Sequence, residues 1–202
     1  KNSHVTAIDL SLSSLAYAKR KTEEFGVTNI DYLQADILDL ELLDKQFDII
    51  ESAGVLHHMA DPIAGWKILT DCLKPNGLMK IGLYSELARQ SVVKAREMVK
   101  EKKISSDKEG MLKFRRQITK LNDSEIYVLE KSSDFYSTST IRDLLFHVQE
   151  HRFTISQISE ALDELNLAFM GFEFPHKVTG KAFKEVYPNE GAIYNLDKWH
   201  EY

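Results

Sequence analysis

The sequence predicts an α/β fold on a mostly parallel sheet, and three stretches predict it. Each is a short apolar run that ends at a carboxylate or a polar turn and then passes into a helix signal. Residues 4–11, HVTAIDLS, end at Asp9; residues 30–34 lead to Asp36 in ADILDL; Phe47, Ile49 and Ile50 lead through Glu51 and Ser52 to Gly54. Strand and helix alternating through short loops is the unit of a parallel sheet, whose ligands gather at the carboxyl ends of the strands.

The elements follow in order. Ser11, Ser13 or Ser14 can cap a helix that carries Leu15, Ala18 and Phe25 and stops at Gly26, a residue suited to the left-handed turn that ends helices. Gly54 allows a sharp turn, and Asp61-Pro62 opens a helix with Ile63, Trp66, Leu69 and Leu73 on one face. Pro75-Asn76-Gly77 is a tight turn with Asn76 in the left-handed region, and residues 78–84 are a further strand. Residues 86–129 have helical spacing around a break at 105–110. Serines at 137 and 139 cap a helix over residues 141–151, and Thr154 caps another that turns Ile155, Ile158, Leu162 and Leu165 inward. Residues 167–174 read as a strand. Beyond Pro175 the chain reads as irregular, with Phe183, Tyr187, Tyr194 and Trp199 at no common period.

Composition narrows the class. The 202 residues are 43% hydrophobic and 28% charged, with net charge −5, ordinary for a globular domain and without a global bias toward nucleic acid. No apolar run approaches the about 20 residues of a membrane helix. A lone cysteine, Cys72, excludes an internal disulfide framework and suits a reducing cytoplasm. Charge is concentrated: residues 89–120 hold eleven Lys and Arg against four Asp and Glu. Such a segment attracts anions or is a solvated helical face.

FDIIESAGVLHHMADP followed by LKPNGLMKIGLYS resembles the second half of a class I S-adenosylmethionine-dependent methyltransferase domain, which is Rossmann-like. The resemblance covers residues 5–84 well and 167–174 weakly; residues 134–154 resemble a stretch of bacterial methyltransferases fused behind tetratricopeptide repeats. It implies a core over residues 1–85 (the second to fifth strands), a helical insertion at 86–130, helices and the sixth strand at 131–174, and an irregular end at 175–202. The insertion would be a lid or would pack on the sheet edge. The resemblance implies that Asp9 accepts from both ribose hydroxyls of S-adenosylmethionine and Asp36 from the adenine amine. Leu10 and Ile37 would flank the adenine, and Ser52, Ala53, Gly54 and Val55 would line the methionine end. Each aspartate has a simpler use, capping a helix or ending a strand.

The family's glycine-rich loop belongs roughly 25 to 30 residues before Asp9, whereas the sequence starts eight residues before it and contains no G-x-G. The expectation is a fragment incomplete at both ends. It would lack the strand between the second and fourth and the strand between the fifth and sixth, so that edges are left for rearranged pairing, strand exchange in a homo-oligomer or another chain.

Catalytic residues are not fixed by the sequence. His57 and His58 are candidates for taking a proton from the acceptor, or they simply shape the helix start. His147, Glu150 and His151 fit H-x-x-E-H; on a helix the two histidines share a face and, with Glu173 or Glu185, could hold zinc, although no metal is assigned. Arg142 and Arg152 would meet an acidic substrate or pair with Asp143 and Glu150. The leading function is methyl transfer to an unidentified acceptor. The alternatives are a non-catalytic interaction module and, further off, a nucleotide-dependent oxidoreductase sharing Asp9.

Overall fold

The computed structural model describes residues 3–121, 124–147, 149–174 and 177–202, with only the backbone of Ser124, Glu125 and Lys177. Asn122 and Asp123 of the expected helical stretch, Val148 of the H-x-x-E-H stretch and Pro175 lie outside the described residues. The chain forms two compact units: Lys1–Leu56 with Asp61–Ile81, and His57–Ala60 with Gly82–Tyr202.

The first unit is the α/β part. Strand β1 (Val5–Asp9) runs parallel to β2 (Ile30–Gln34), with Asp9 opposite Gln34. Between them α1 (Leu12–Glu24) starts at Ser11, whose hydroxyl accepts from the Ser14 N–H, and the chain leaves at Gly26 with φ +70°. Strand β3 (Phe47–Ala53) pairs with β4 (Leu73–Gly82), and α2 (Pro62–Asp71) lies between them in sequence. Asp61 caps α2 by accepting from the N–H groups of Ile63 and Ala64, with Pro62 in the first turn where no N–H is needed. Asn76 adopts φ +61°, and the strand is sharply bent there: a Cβ on Gly77 would stand 2.8 Å from the Leu73 side chain. Strand β4 therefore begins at Leu73 and contains the Pro75-Asn76-Gly77 turn expected to precede it.

Among the described residues no strand joins the β1–β2 pair to the β3–β4 pair. Ile49 is 68% exposed as a result, and Val5 and Leu78 are also uncovered.

The second unit is mainly helical. Helices α3 (Gln90–Glu101), α4 (Lys108–Ile118), α5 (Ser124–Glu130) and α6 (Thr138–Phe146) enclose a core of Val92, Ala95, Met111, Phe114, Ile118, Ile126, Leu129, Phe135, Ile141, Leu144 and Leu145. Asp107 caps α4 through the Gly110 N–H after the expected break. A short parallel pair, β5 (Tyr84–Ser85) with β6 (Arg152–Phe153), precedes α7 (Ile155–Glu164), which opens with a reciprocal Thr154–Gln157 capping box.

Three expectations are corrected here. Helix α6 stops at Phe146, and His147 is already extended, so His147–His151 is not a helical face. Residues 167–174 form no strand; their aromatic rings pack instead, Phe172 at 5.5 Å and Phe174 at 5.1 Å from Trp199. The end of the chain is ordered as α8 (Lys177–Val186), a 3-10 turn at Glu190–Tyr194 and α9 (Leu196–Glu201). There Phe183, fully buried, stacks on Trp199 at 3.6 Å and 14°. Aromatic packing across sixteen residues supplies the order that no local period announced.

Candidate functional site

Two groups of side chains stand out, one in each unit. In the first, the parallel register of β1 and β2 sets the tips of both strands at the same end. Gln34 fixes this end further by donating from Nε2 to the Leu10 carbonyl at 2.9 Å. Asp9 closes a turn, its Oδ1 accepting from the Ser11 N–H at 2.7 Å. Asp36 is the N-cap of the 3-10 helix Ile37–Leu43, its Oδ1 accepting from the Leu38 N–H at 3.0 Å. Asp36 therefore caps a helix, while Asp9 ends its strand and the N-cap of α1 is Ser11. In each, the second carboxylate oxygen has no partner among the described residues and remains available to a ligand.

Leu10 is exposed and Ile37 half-buried, apolar neighbours beside each carboxylate. After β3 the chain turns through Gly54 at φ +78°, with open space where a Cβ would point; a side chain there would be strained by the backbone alone. Ala53 and Val55 are exposed, and Ser52 is buried with its hydroxyl unpaired, which is costly unless a partner arrives.

The second group surrounds His57 and His58. His57 is 1% exposed, and neither ring nitrogen has a hydrogen-bond partner. Its ring lies 3.8 Å from that of Tyr84 and 4.3 Å from that of His58. Burial pushes the His57 pKa down to about 4; the neighbouring His58 and Arg89 lower it too, while the Gly82 backbone and Glu150 oppose the shift. The ring is neutral at physiological pH. His58 packs on His147 at 4.0 Å, and Nδ1 of each lies within reach of the Gln149 carbonyl, at 3.0 and 2.7 Å.

Behind these rings is a charge cluster that the sequence did not assemble. The Glu150 side chain is wholly buried and bonded by Arg89 through Nε and Nη2 and by Arg96 through Nη2 at 3.3 Å. The Arg89 guanidinium lies 3.8 Å over the Tyr84 ring. Arg152 pairs with Glu86 rather than Glu150, and Arg142 donates to the Ser106 carbonyl rather than pairing with Asp143. Two cations of the basic segment thus point inward. Among the described residues no group of three or more His, Cys, Asp or Glu is placed to hold a metal. The glutamate of H-x-x-E-H is occupied by arginines.

Residues 1–81 match a family model described as a methyltransferase domain. The match covers 81 of the 202 residues, the α/β part of the chain. An uncharacterised protein of Synechococcus is 25% identical over the whole chain, which spans 50% of that relative. The ubiquinone/menaquinone biosynthesis C-methyltransferase UbiE of Shewanella oneidensis is 28% identical over 70% of the chain and 54% of its own length. PKMT2 of Rickettsia typhi, solved in complex with AdoHcy, matches 98% of the chain with a TM-score of 0.64 at 18% identity, over 41% of the PKMT2 chain. The chain thus spans about half the length of the relatives it matches most extensively. The PKMT2 likeness gives the fold; the family match gives the domain. Among the described residues no helix is long and apolar enough to cross a membrane.

Proposed function

We propose that the protein acts in S-adenosylmethionine-dependent methyl transfer, with the cofactor at the strand tips of the first unit. The observation that carries this reading is the pair of half-used carboxylates, Asp9 and Asp36, at one end of the parallel β1–β2 pair within the matched methyltransferase segment. Asp9 accepts from the ribose hydroxyls and Asp36 from the adenine amine, with Leu10 and Ile37 against the ring. Residues 52–55 take the methionine end: the unpaired Ser52 hydroxyl gains a partner, and Gly54 admits the ligand close to the backbone.

When bound, S-adenosylmethionine supplies an electrophilic methyl group on sulfur. The protein's own part is to orient the partners and exclude water, a large share of what such a displacement needs. His57 and His58 follow the 52–55 turn directly in the chain and are the candidates for holding the acceptor's proton. The buried free thiol of Cys72 suits a reducing compartment such as the cytoplasm. Pairing of copies along the open strand edges accords with the exposed Ile49 and Val5, and sedimentation would reveal it.

The test is calorimetric titration with S-adenosylhomocysteine. Losing a charged hydrogen-bond partner costs about 1.5–3 kcal/mol, so Asp9→Ala weakens binding by roughly 10- to 150-fold. Equal affinity in the variant, or no binding by the unaltered chain, rejects the reading.

A further inference from the structure

The stretch around Glu150 is tied to the histidine turn by backbone and side-chain hydrogen bonds. His151 donates its N–H to the His57 carbonyl at 2.8 Å, and Gln149 donates from Nε2 to the Met59 carbonyl at 3.0 Å. The Gln149 carbonyl faces His58 Nδ1. Between Gln149 and His151 sits Glu150, whose side chain is fully buried and is gripped by Arg89 at the start of α3 and by Arg96 within it. Arg96 also donates to the carbonyls of Leu144 and Asp143 in α6.

We propose that Glu150 is a positioning residue for the His57–His58 turn, locking that turn through its buried ion pairs with Arg89 and Arg96. The role rests on the methyltransferase reading for its purpose, since this turn leads out of the proposed cofactor strand; the lock itself stands on geometry. It acts by two routes. The 149–151 backbone and the Gln149 amide fix the carbonyls of His57 and Met59. From the other side, Glu150 orients the Arg89 guanidinium, Arg89 packs on Tyr84, and Tyr84 covers the His57 ring.

This arrangement explains how a carboxylate side chain is buried there. A buried charge is tolerated only when paired and hydrogen-bonded, and Glu150 is held by three nitrogen contacts. A neutral side chain of the same shape would leave two arginines facing each other with their counter-charge gone. The groups facing His57 are the Tyr84 and His58 rings, the Gly82 backbone, Arg89 and Glu150. Loss of Glu150 alters both the position of the ring and the field around it.

The experiment compares the unaltered chain with Glu150→Gln, which keeps the shape and removes the charge. Imidazole nitrogens are followed by long-range proton–nitrogen correlation, the His151 amide by hydrogen exchange, and the core by the methyl signals of Ile118 and Ile141. We expect the His57 and His58 nitrogen signals to move and broaden and the His151 amide to exchange at least about tenfold faster, while the core methyl signals stay in place. A bystander carboxylate would leave the imidazole signals where they are, and that result in a folded variant overturns the assignment. If Glu150→Gln does not fold, Arg89→Lys keeps the charge but gives up the two-pronged grip on Glu150; unmoved imidazoles there overturn it equally. Cofactor binding is read separately by S-adenosylhomocysteine titration, so a chain that binds no cofactor counts against the proposed function and leaves the positioning role standing.

Discussion

The buried imidazole of His57 makes a quantitative demand on stability. Its pKa falls from 6.5 to about 4 on folding, a penalty of about 3 kcal/mol for protonating the folded ring. The unfolded chain takes up this proton below pH 6.5, whereas the native ring stays neutral until about pH 4. Stability is therefore full above pH 6.5 and is lost progressively as the pH falls toward 4. Between pH 7 and pH 5 the loss amounts to about 2 kcal/mol from this residue. The carboxylates with lowered pKa values, Asp31, Asp107 and Glu201, stabilise the native state above their ordinary range and lose that contribution only at lower pH. Urea unfolding followed by circular dichroism at half-unit steps from pH 7 to pH 5 measures the slope. His57→Phe keeps an aromatic ring against Tyr84 and removes the titrating group, so its profile over this window is flatter by about 2 kcal/mol. An unaltered chain with no slope between pH 7 and pH 5, or a variant with the same slope, refutes the reasoning.

Other substitutions follow from the same packing and capping arguments. Phe183→Ala removes a fully buried ring stacked on Trp199 and costs about 3–5 kcal/mol, read as a lowered urea midpoint together with altered Trp199 emission. Thr154→Ala breaks the capping box of α7 and costs about 1 kcal/mol, measured by thermal unfolding. Gly54→Ala meets no atom within 4 Å but is forced to φ +78°, so it costs about 1 kcal/mol and weakens S-adenosylhomocysteine binding in a titration; unchanged affinity would remove the 52–55 turn from the site.

What the sequence disclosed followed local rules. The strands at residues 5–9 and 30–34, the helix starts at Ser11 and Asp61, and Gly26 and Asn76 at positive φ each rest on one short stretch, and each is present; Ser137 starts α6 without a capping hydrogen bond. The strand tips were legible for the same reason: Asp9 and Asp36 end strands whose type is locally written. Long-range packing was not legible. The apolar stretch at 167–174 looked like a strand, but with no neighbouring strand its rings Phe169, Phe172 and Phe174 turn to one another and to Trp199. H-x-x-E-H was placed on the helix expected over residues 141–151, but the chain leaves that helix at Phe146, and Arg89 and Arg96, far earlier in the chain, claim Glu150. No local signal marks this pairing: Glu150 stands between the polar Gln149 and His151, and its partners lie on a helix far earlier in the chain.

The central claim is that the strand tips of the first unit hold the cofactor, and amide chemical-shift mapping tests it most directly. Addition of S-adenosylhomocysteine to the nitrogen-labelled chain should move the signals of Asp9, Leu10, Asp36, Ile37, Ser52, Ala53, Gly54 and Val55 ahead of all others. Saturable shifts at these positions are the result the account predicts. Shifts elsewhere with these amides unmoved would contradict it, as would no shifts at all, and the latter would turn attention to an interaction role for the chain.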